Sequence, residues 1–284
     1  MLHDVMVSML RHGGRRPSTQ KNYCREMRRF LEWLGHDRPL RARRSDVVAY
    51  LGHLGGSSVC RRKMAHAALR FFYVHAVNRP EVVAGIPWPR VRKSLRTGPR
   101  CHEVAMVLGK LHDPLCRAVV CVVVGAGLRI SEACALRVVD VQTERDASGR
   151  KLDRGVLVVR EGKGGKERLA PLSPTLRQEL RRYWSIRRPT DLLFPNSRRT
   201  GHVSPKRVRK ALHEACARAG LKKHVTPHEL RHAFSTMMLE QGVDLVTLQA
   251  ALGHERLSTT AGYTHVRHDR VAAMPDLLAQ TRRT

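Results

Sequence analysis

The chain lacks paired cysteine motifs. Its seven cysteines include no C-x-x-C pair and are odd in number, which argues against both a disulfide framework and a structural zinc site. Long apolar runs are also missing, since the longest, AVVCVVVGAGL at residues 118–128, is well short of the ~20 residues that a membrane span needs. No secretory or transit signal is visible near the N-terminus. We therefore expect a cytoplasmic protein that makes no membrane contact.

Acidic residues are scarce. The sequence holds 24 aspartates and glutamates against 53 lysines and arginines, a formal net charge of +29 over 284 residues. This imbalance exceeds what solubility requires and predicts a polyanionic partner, of which nucleic acid fits best. Both parts of the chain share it, because residues 1–98 carry 20 basic and 6 acidic side chains and residues 99–284 carry the rest. An arginine-rich composition with simply solvated charges is the alternative.

Helical periodicity dominates the first eighty residues. The stretch STQKNYCREMRRFLEWLG predicts a helix capped by Ser18 and ended by Gly35, and further helices are predicted over 45–54 and 58–77. Four prolines and several basic residues between positions 80 and 100 predict an extended basic linker. We therefore divide the chain into a helical DNA-binding bundle (1–85), a linker (86–99) and a second domain (100–284).

The second domain combines helical patterns with one strand pair. Period-two apolar residues in RGVLVVREGKGGKERLAPL flank three turn glycines and predict an antiparallel hairpin. Hydroxyl residues followed by proline predict helix starts at Ser173, Ser204 and Thr226. Further helices are predicted over 101–112, 114–127 and 130–137. The expected fold class is mainly α with a small antiparallel β hairpin or sheet.

The segment TPHELRHAFSTMMLEQG carries candidate phosphate-binding groups. On a helix that begins at Thr226, His228 and Arg231 lie three residues apart, beside an apolar stripe. A core-anchored helix would hold this imidazole and guanidinium rigidly, as an anion site requires.

The same segment also matches the H-E-x-x-H pattern of zinc metalloproteases, through His228, Glu229 and His232. The extension that supplies a third histidine is absent, because Ser235 and Met238 stand where that pattern needs Gly and His. The large positive charge has no role in peptide hydrolysis. We therefore disfavour the metalloprotease interpretation.

Five segments occur in an order typical of one enzyme family. They are GAGLRISEACALRVVDV, EGKGGKERLAPL, PHELRH, LGH and YTHV. Together they resemble the tyrosine recombinases, the phage-integrase and Xer-type family of site-specific DNA recombinases, over about residues 101–267. The first domain resembles the family's helical, SAM-like core-binding domain only in length, charge and pattern. The resemblance implies a tyrosine-recombinase catalytic domain that follows an N-terminal core-binding bundle.

The resemblance implies six catalytic residues. They are Arg129, Lys163, His228, Arg231, His254 and Tyr263. By this resemblance, the two arginines grip the non-bridging oxygens of the scissile phosphate. The hairpin lysine protonates the departing 5′ oxygen, with Lys166 as the alternative to Lys163. The first histidine is the base, the second a hydrogen-bond donor, and the tyrosine is the nucleophile.

The chemistry of these residue types agrees with the resemblance. Two arginines supply fixed, permanently charged donors to a phosphodiester whose transition state concentrates further negative charge. A tyrosine with an unperturbed pKa of about 10 needs cations and a base to become a nucleophile at neutral pH. With cations built into the protein, no metal or other cofactor is expected. A covalent 3′-phosphotyrosyl bond lets strands rejoin without ATP.

The resemblance also implies partners. They are double-stranded DNA recombination sites and further protomers, in a homotetramer or with a related recombinase in the synaptic complex. The residues after Tyr263 are expected to form a helix able to dock on a neighbouring protomer. The alternative from another class is a DNA-binding protein that keeps this fold but acts architecturally, without cleaving DNA.

Other residues near the motifs receive lesser roles. Glu132 is predicted to form a buried structural pair beside Arg129, and Arg168 to face DNA or solvent. His232 and His265 are predicted to lie at the surface or behind the site.

Overall fold

The computed structural model describes residues 2–35, 40–90, 98–145, 151–160, 167–223, 225–253 and 268–283. The chain divides into two compact units, Met1–Leu95 and Arg96–Thr284.

The first unit is helical. Its α-helices are α1 (Leu2–His12), α2 (Pro17–Leu34), α3 (Arg44–His53) and α4 (Val59–Phe71). The predicted stop of α2 at Gly35 is confirmed by a left-handed φ of 74° there, but the helix begins at Pro17 after Arg16, so the predicted cap at Ser18 was wrong. Ser58 caps α4 by accepting a hydrogen bond from the Arg61 amide. Helix α1 was not predicted, although Met6 and Leu10 lie four residues apart on its buried face.

An aromatic cluster forms the core of the first unit. The Phe30 ring lies 5.1 Å from Tyr50 and 6.4 Å from Tyr73, both edge on. Val82 and Val83 are buried in the same core, and Pro80–Val82 forms a short 3-10 turn. The predicted extended conformation was therefore wrong for the beginning of the proline-rich stretch, which packs on the bundle. Burial of the two valine side chains in an apolar core is favourable, and an extended linker would leave them in water.

The second unit is built mainly of helices. They are α5 (Cys101–Gly109), α6 (Pro114–Ala126), α7 (Ile130–Ala135), α8 (Pro174–Arg187), α9 (Pro205–Arg218), α10 (Pro227–Glu240), α11 (Leu245–Leu252), α12 (His268–Ala272) and α13 (Leu277–Arg283). The predicted caps are confirmed, since the hydroxyls of Ser173, Ser204 and Thr226 each accept a backbone N–H from the first turn. Proline at the first helical position costs no hydrogen bond there.

Three antiparallel strands accompany these helices. Strands β1 (Val141–Arg145), β2 (Lys151–Val159) and β3 (Arg168–Leu172) form a sheet in the order β1-β2-β3. Within it Val156 lies opposite Pro171, and Leu157 opposite Ala170. The predicted strand pair and the mainly α class with a small antiparallel sheet are confirmed. Strand β1 was missed, because VQTER has too few apolar residues to show a period of two.

Helix α6 is the central helix of the second unit. Nearly all its residues are buried, and it packs against α7, α8, α9 and α10. Helix α13 also packs on it within the same chain, with Leu277 and Leu278 buried. Docking of the C-terminal segment on a neighbouring protomer stays a prediction. Over the described ranges, no helix is both long and apolar enough to cross a bilayer.

Gly127 ends α6 under two separate constraints. Its φ is +66°, the left-handed region that L side chains rarely adopt. A Cβ there would lie 2.4 Å from Cδ1 of Phe234 and 3.1 Å from Cδ2 of Leu252. The chain therefore needs glycine here for both conformation and space.

Gly127→Ala is expected to destabilise the protein more than Gly220→Ala. Gly220 shares the left-handed conformation, with φ +70°, but a Cβ there meets no atom of the described residues within 4 Å. Gly220→Ala should therefore cost only the backbone strain of about 1–2 kcal/mol. Gly127→Ala should add about 1–3 kcal/mol for overpacking against Phe234. Urea unfolding followed by circular dichroism measures both losses, and equal losses would contradict the steric argument.

Candidate active site

Three arginines converge on one buried glutamate. Nη1 of Arg129 lies 2.6 Å from Oε1 of Glu132. Arg168 donates to both carboxylate oxygens, at 3.2 Å from Nη1 and 2.6 Å from Nη2. Nη1 of Arg231 lies 3.8 Å from Oε2. We call these four residues the arginine cluster; they come from the start of α7, strand β3 and helix α10.

Arg129 forms the exposed side of the arginine cluster. It is the residue before α7, and its backbone amide donates to Oε2 of Glu132 at 2.9 Å, which closes the first turn of that helix. Its side chain is 31% exposed, the largest exposed fraction among the three arginines. The Arg129 guanidinium is bound to Glu132 on one side and open to solvent on the other, so it can donate hydrogen bonds to an incoming anion.

Arg231 is anchored by main-chain oxygens. Its side chain is 6% exposed, Nη1 donates to the carbonyl of Gly127 at 2.6 Å, and Nη2 donates to the carbonyl of Leu252 at 2.7 Å. These carbonyls lie at the C-terminal ends of α6 and α11, where helices leave acceptors unpaired. The guanidinium carries five N–H donors, so it keeps further donors beyond these two bonds.

Arg231 and Glu132 are both charged at neutral pH. Burial and, after it, the positive charge of Arg129 lower the pKa of Arg231 to about 10, against the opposing effect of Glu132. Burial alone would raise the pKa of Glu132, but hydrogen bonds from Arg168 and then from Arg129 bring it below its ordinary value. Three guanidiniums against one carboxylate leave an excess of positive charge, which suits a phosphate group.

His228 lies exposed in the first turn of α10, three residues before the buried Arg231. The neighbouring Glu229 takes part in helix capping, because its Oε2 accepts from the amide of Thr226 at 2.8 Å and from its hydroxyl at 2.9 Å. His232 is exposed, as predicted. The glutamate of the H-E-x-x-H pattern therefore stabilises a helix start, which accounts for its presence without metalloprotease chemistry.

The other predicted site residues, Lys163, His254 and Tyr263, lie outside the described residues, as do Lys166 and His265. The structure therefore brings together Arg129 and Arg231, places His228 one turn away, and does not report on the remaining three. Two described residues lie close in sequence to these positions: Arg168, a member of the arginine cluster, begins β3 shortly after Lys163, and Leu252, whose carbonyl binds Arg231, lies two residues before His254.

The prediction that Arg168 faces DNA or solvent was wrong. Its side chain is 8% exposed and binds Glu132 and the carbonyl of Ala251. A signal was present in the sequence, because Arg168 shares a strand face with Ala170 and Leu172, both fully buried. The prediction that Glu132 forms a buried structural pair is confirmed, although it binds more than one arginine.

Two family profiles match the chain. The profile described as "Phage integrase family" matches residues 110–270, and the profile "Phage integrase, N-terminal SAM-like domain" matches residues 2–81.

Curated relatives match over most of their length. The putative integrase/recombinase y4qK of Sinorhizobium fredii is 37% identical over 264 residues, which cover 90% of this chain and 81% of the relative. The tyrosine recombinase XerA of Thermococcus kodakarensis is 35% identical over 260 residues, which cover 89% and 86%.

Solved structures show the same fold. The XerH site-specific recombinase, bound to difH substrate in a pre-cleavage complex, is 25% identical with a TM-score of 0.60, covering 81% of this chain and 69% of that one. A lambda integrase tetramer bound to a Holliday junction is 18% identical with a TM-score of 0.73, covering 95% and 77%. The latter likeness concerns the fold alone.

Proposed function

The chain belongs to the phage integrase family of tyrosine recombinases, and we propose that it is a site-specific recombinase with Tyr263 as its nucleophile. It cleaves and rejoins DNA strands through a covalent 3′-phosphotyrosyl intermediate, in DNA integration, excision or resolution. The observation that carries this proposal is the arginine cluster, in which Arg129 and Arg231 meet beside one buried carboxylate. Such fixed cations lower the barrier to attack on a phosphodiester.

Each site residue has a role in strand cleavage. Arg129 and Arg231 hold the non-bridging oxygens of the scissile phosphate. The Tyr263 oxygen bonds to phosphorus as the bond from phosphorus to the 5′ oxygen breaks. His228 takes the tyrosine proton, and Lys163 gives a proton to the leaving oxygen. His254 donates a hydrogen bond to the phosphate.

The covalent bond explains why strands are exchanged instead of hydrolysed. The phosphotyrosyl linkage replaces one phosphodiester by another of similar energy, so a 5′ hydroxyl from a second strand can attack it in the reverse reaction. No ATP is consumed, and the cations are those of the protein itself.

The partners follow from the family. Double-stranded recombination sites bind the core-binding domain (1–85), the basic linker (86–99) and the catalytic domain (100–284), which together carry the large positive charge. Four protomers assemble on two DNA sites, the arrangement that membership of this family implies. The protein acts in the cytoplasm, and its seven free cysteines agree with a reducing compartment.

A nicked duplex tests the proposed function. The substrate is a duplex selected from a random library by binding to the protein. One strand is nicked just 3′ of the scissile phosphate, so that cleavage releases a short fragment that carries the new 5′ hydroxyl. This fragment diffuses away, and religation fails. We expect a covalent adduct that survives denaturing electrophoresis, and mass spectrometry of the digested adduct should place the DNA on the peptide that contains Tyr263. Tight binding without any adduct would favour the architectural alternative, and free cleaved ends without an adduct would indicate a nuclease.

A further inference from the structure

Arg168 joins three elements of the second unit. It is the first residue of β3, and its Nη1 and Nη2 bind the two oxygens of Glu132 at 3.2 and 2.6 Å. Its Nε donates to the carbonyl of Ala251 in the last turn of α11 at 2.9 Å. One guanidinium thus fastens the sheet to the starting turn of α7 and to the end of α11, in the paired geometry that only arginine provides.

Arg168 and Arg231 hold adjacent carbonyls. Arg168 binds the oxygen of Ala251, and Arg231 binds the oxygen of Leu252 at 2.7 Å. Both oxygens are among the acceptors that the end of a helix leaves unpaired. The same side chain packs closely against Gly253, the next residue, because a Cβ there would lie 2.8 Å from Cδ of Arg168. His254 comes next in the sequence.

Among the three arginine side chains at Glu132, that of Arg168 donates hydrogen bonds to both carboxylate oxygens. Arg129 and Arg231 already lie beside this carboxylate, and a further guanidinium adds repulsion and desolvation in a poorly exposed place. Arg168 directs its hydrogen bonds to Glu132 and to the carbonyl of Ala251, both within the protein. It therefore determines the orientation of these two groups.

We propose that Arg168 is a positioning residue for DNA strand cleavage. It sets the orientation of Glu132 toward Arg129 and Arg231 and fixes the end of α11, while it makes no contact with DNA itself. This role rests on the proposed recombinase function. It predicts that changes at position 168 reduce the rate of cleavage and leave DNA affinity nearly intact.

Arg168→Met and Arg168→Lys test this role. Methionine keeps much of the stem and removes the charge, whereas lysine keeps the charge and loses the paired hydrogen bonds. The readouts are the equilibrium affinity for the selected duplex, the thermal midpoint, and the single-turnover rate of adduct formation on the nicked duplex with saturating protein. We expect both variants to form the adduct about 100-fold more slowly, the scale reached when catalytic groups move by about 1 Å. DNA affinity should stay within about threefold, because phosphate contacts elsewhere dominate binding.

Arg117→Met is the matched control. Arg117 pairs with the buried Glu179 in the same unit at 3.3 Å, and among the described residues it has no contact with the arginine cluster. Its replacement should lower the thermal midpoint without slowing adduct formation. A purely structural role for Arg168 would make its variants behave as Arg117→Met does.

The outcomes separate the positioning role from the proposed function. Wild-type cleavage rates in the folded Arg168→Lys variant would overturn the positioning role and leave the recombinase function standing. If Arg168→Met does not fold, Arg168→Lys decides, since it keeps a cation beside Glu132. Absence of an adduct with the wild-type protein would instead contradict the recombinase function, and the positioning role would fall with it.

Discussion

Tyr263→Phe is expected to abolish the covalent adduct on the nicked duplex while binding to that duplex is retained. The substitution removes a single oxygen, the atom proposed to bond to phosphorus. Phenylalanine has no nucleophile at that position, so adduct formation should fall below detection, a loss of at least about 10³-fold. Affinity should change by less than about twofold, because phosphate contacts from the basic surface carry most of the binding free energy. Gel shift and denaturing electrophoresis on the same samples measure the two quantities.

Tyr183→Phe is the control for this prediction. Tyr183 is buried on α8 with its ring 5.2 Å from that of Phe194, and burial raises its pKa to about 12. Its hydroxyl has no hydrogen-bond partner among the described residues, so removal of that oxygen should be tolerated. The variant should form the adduct at the wild-type rate. An adduct that still formed with Tyr263→Phe would show that another residue is the nucleophile and would contradict the assignment of Tyr263.

Glu132→Ala is expected to destabilise the protein by about 3–5 kcal/mol, the usual cost of leaving a buried charge without its partner. The effect should lie in this range because Arg168 and Arg231 are 8% and 6% exposed and cannot turn into solvent easily. Arg129 and Arg231, which we propose bind the scissile phosphate, also lose their common partner, so cleavage by the folded fraction should fall as well. Urea unfolding gives the stability, and single-turnover adduct formation gives the rate.

Glu179→Ala is a matched control for Glu132→Ala. Glu179 is equally buried, but its partner Arg117 is 27% exposed and can reach water once the carboxylate is gone. The loss of stability should therefore be smaller, and the cleavage rate of the folded protein should not change. Equal losses in the two variants would show that the three-arginine environment of Glu132 adds nothing.

The contribution of Glu132 should also depend on pH. Its pKa in the folded protein lies below the ordinary value, despite the raising effect of burial, because Arg168 and Arg129 bind the ionised form. The stabilisation should be complete above the unfolded pKa of about 4.3 and should be lost as the pH falls through the folded pKa. The difference in unfolding free energy between wild type and Glu132→Gln isolates this effect from other carboxylates. A difference that stayed constant into acid would contradict it.

Local signals were sufficient for much of the fold. A hydroxyl followed by proline marks a helix start within a few residues, which is why the starts after Ser173, Ser204 and Thr226 were predicted correctly. Strand β1 was missed because its place depends on pairing with β2, and VQTER carries no pattern of its own. Helix α1 packs against α2, and its buried residues Met6 and Leu10 lie at helical spacing, so the signal that was overlooked there is present in the sequence.

In the candidate site, too, residues within local motifs were predicted, whereas contacts between distant segments were not. Motifs identified Arg129 and Arg231, yet their common partner Glu132 was assigned only a local role, since its contact with Arg168 joins residues 36 apart in sequence. The anchor of Arg231 on Gly127 joins residues 104 apart and uses a carbonyl, which has no side-chain signature. Convergence of this kind arises from the packing of α6, α7, α10 and α11, and no single segment encodes it.

The anchoring of Arg231 through main-chain oxygens bears on how recombinases of this kind can diversify. Every residue type carries the same carbonyl, so drift in side-chain identity at position 252 cannot delete the acceptor that orients this guanidinium. Laboratory evolution toward new target sequences can therefore randomise exposed positions without removing the carbonyl that orients Arg231. Position 127 stays closed to such variation, because a Cβ there would lie 2.4 Å from Cδ1 of Phe234.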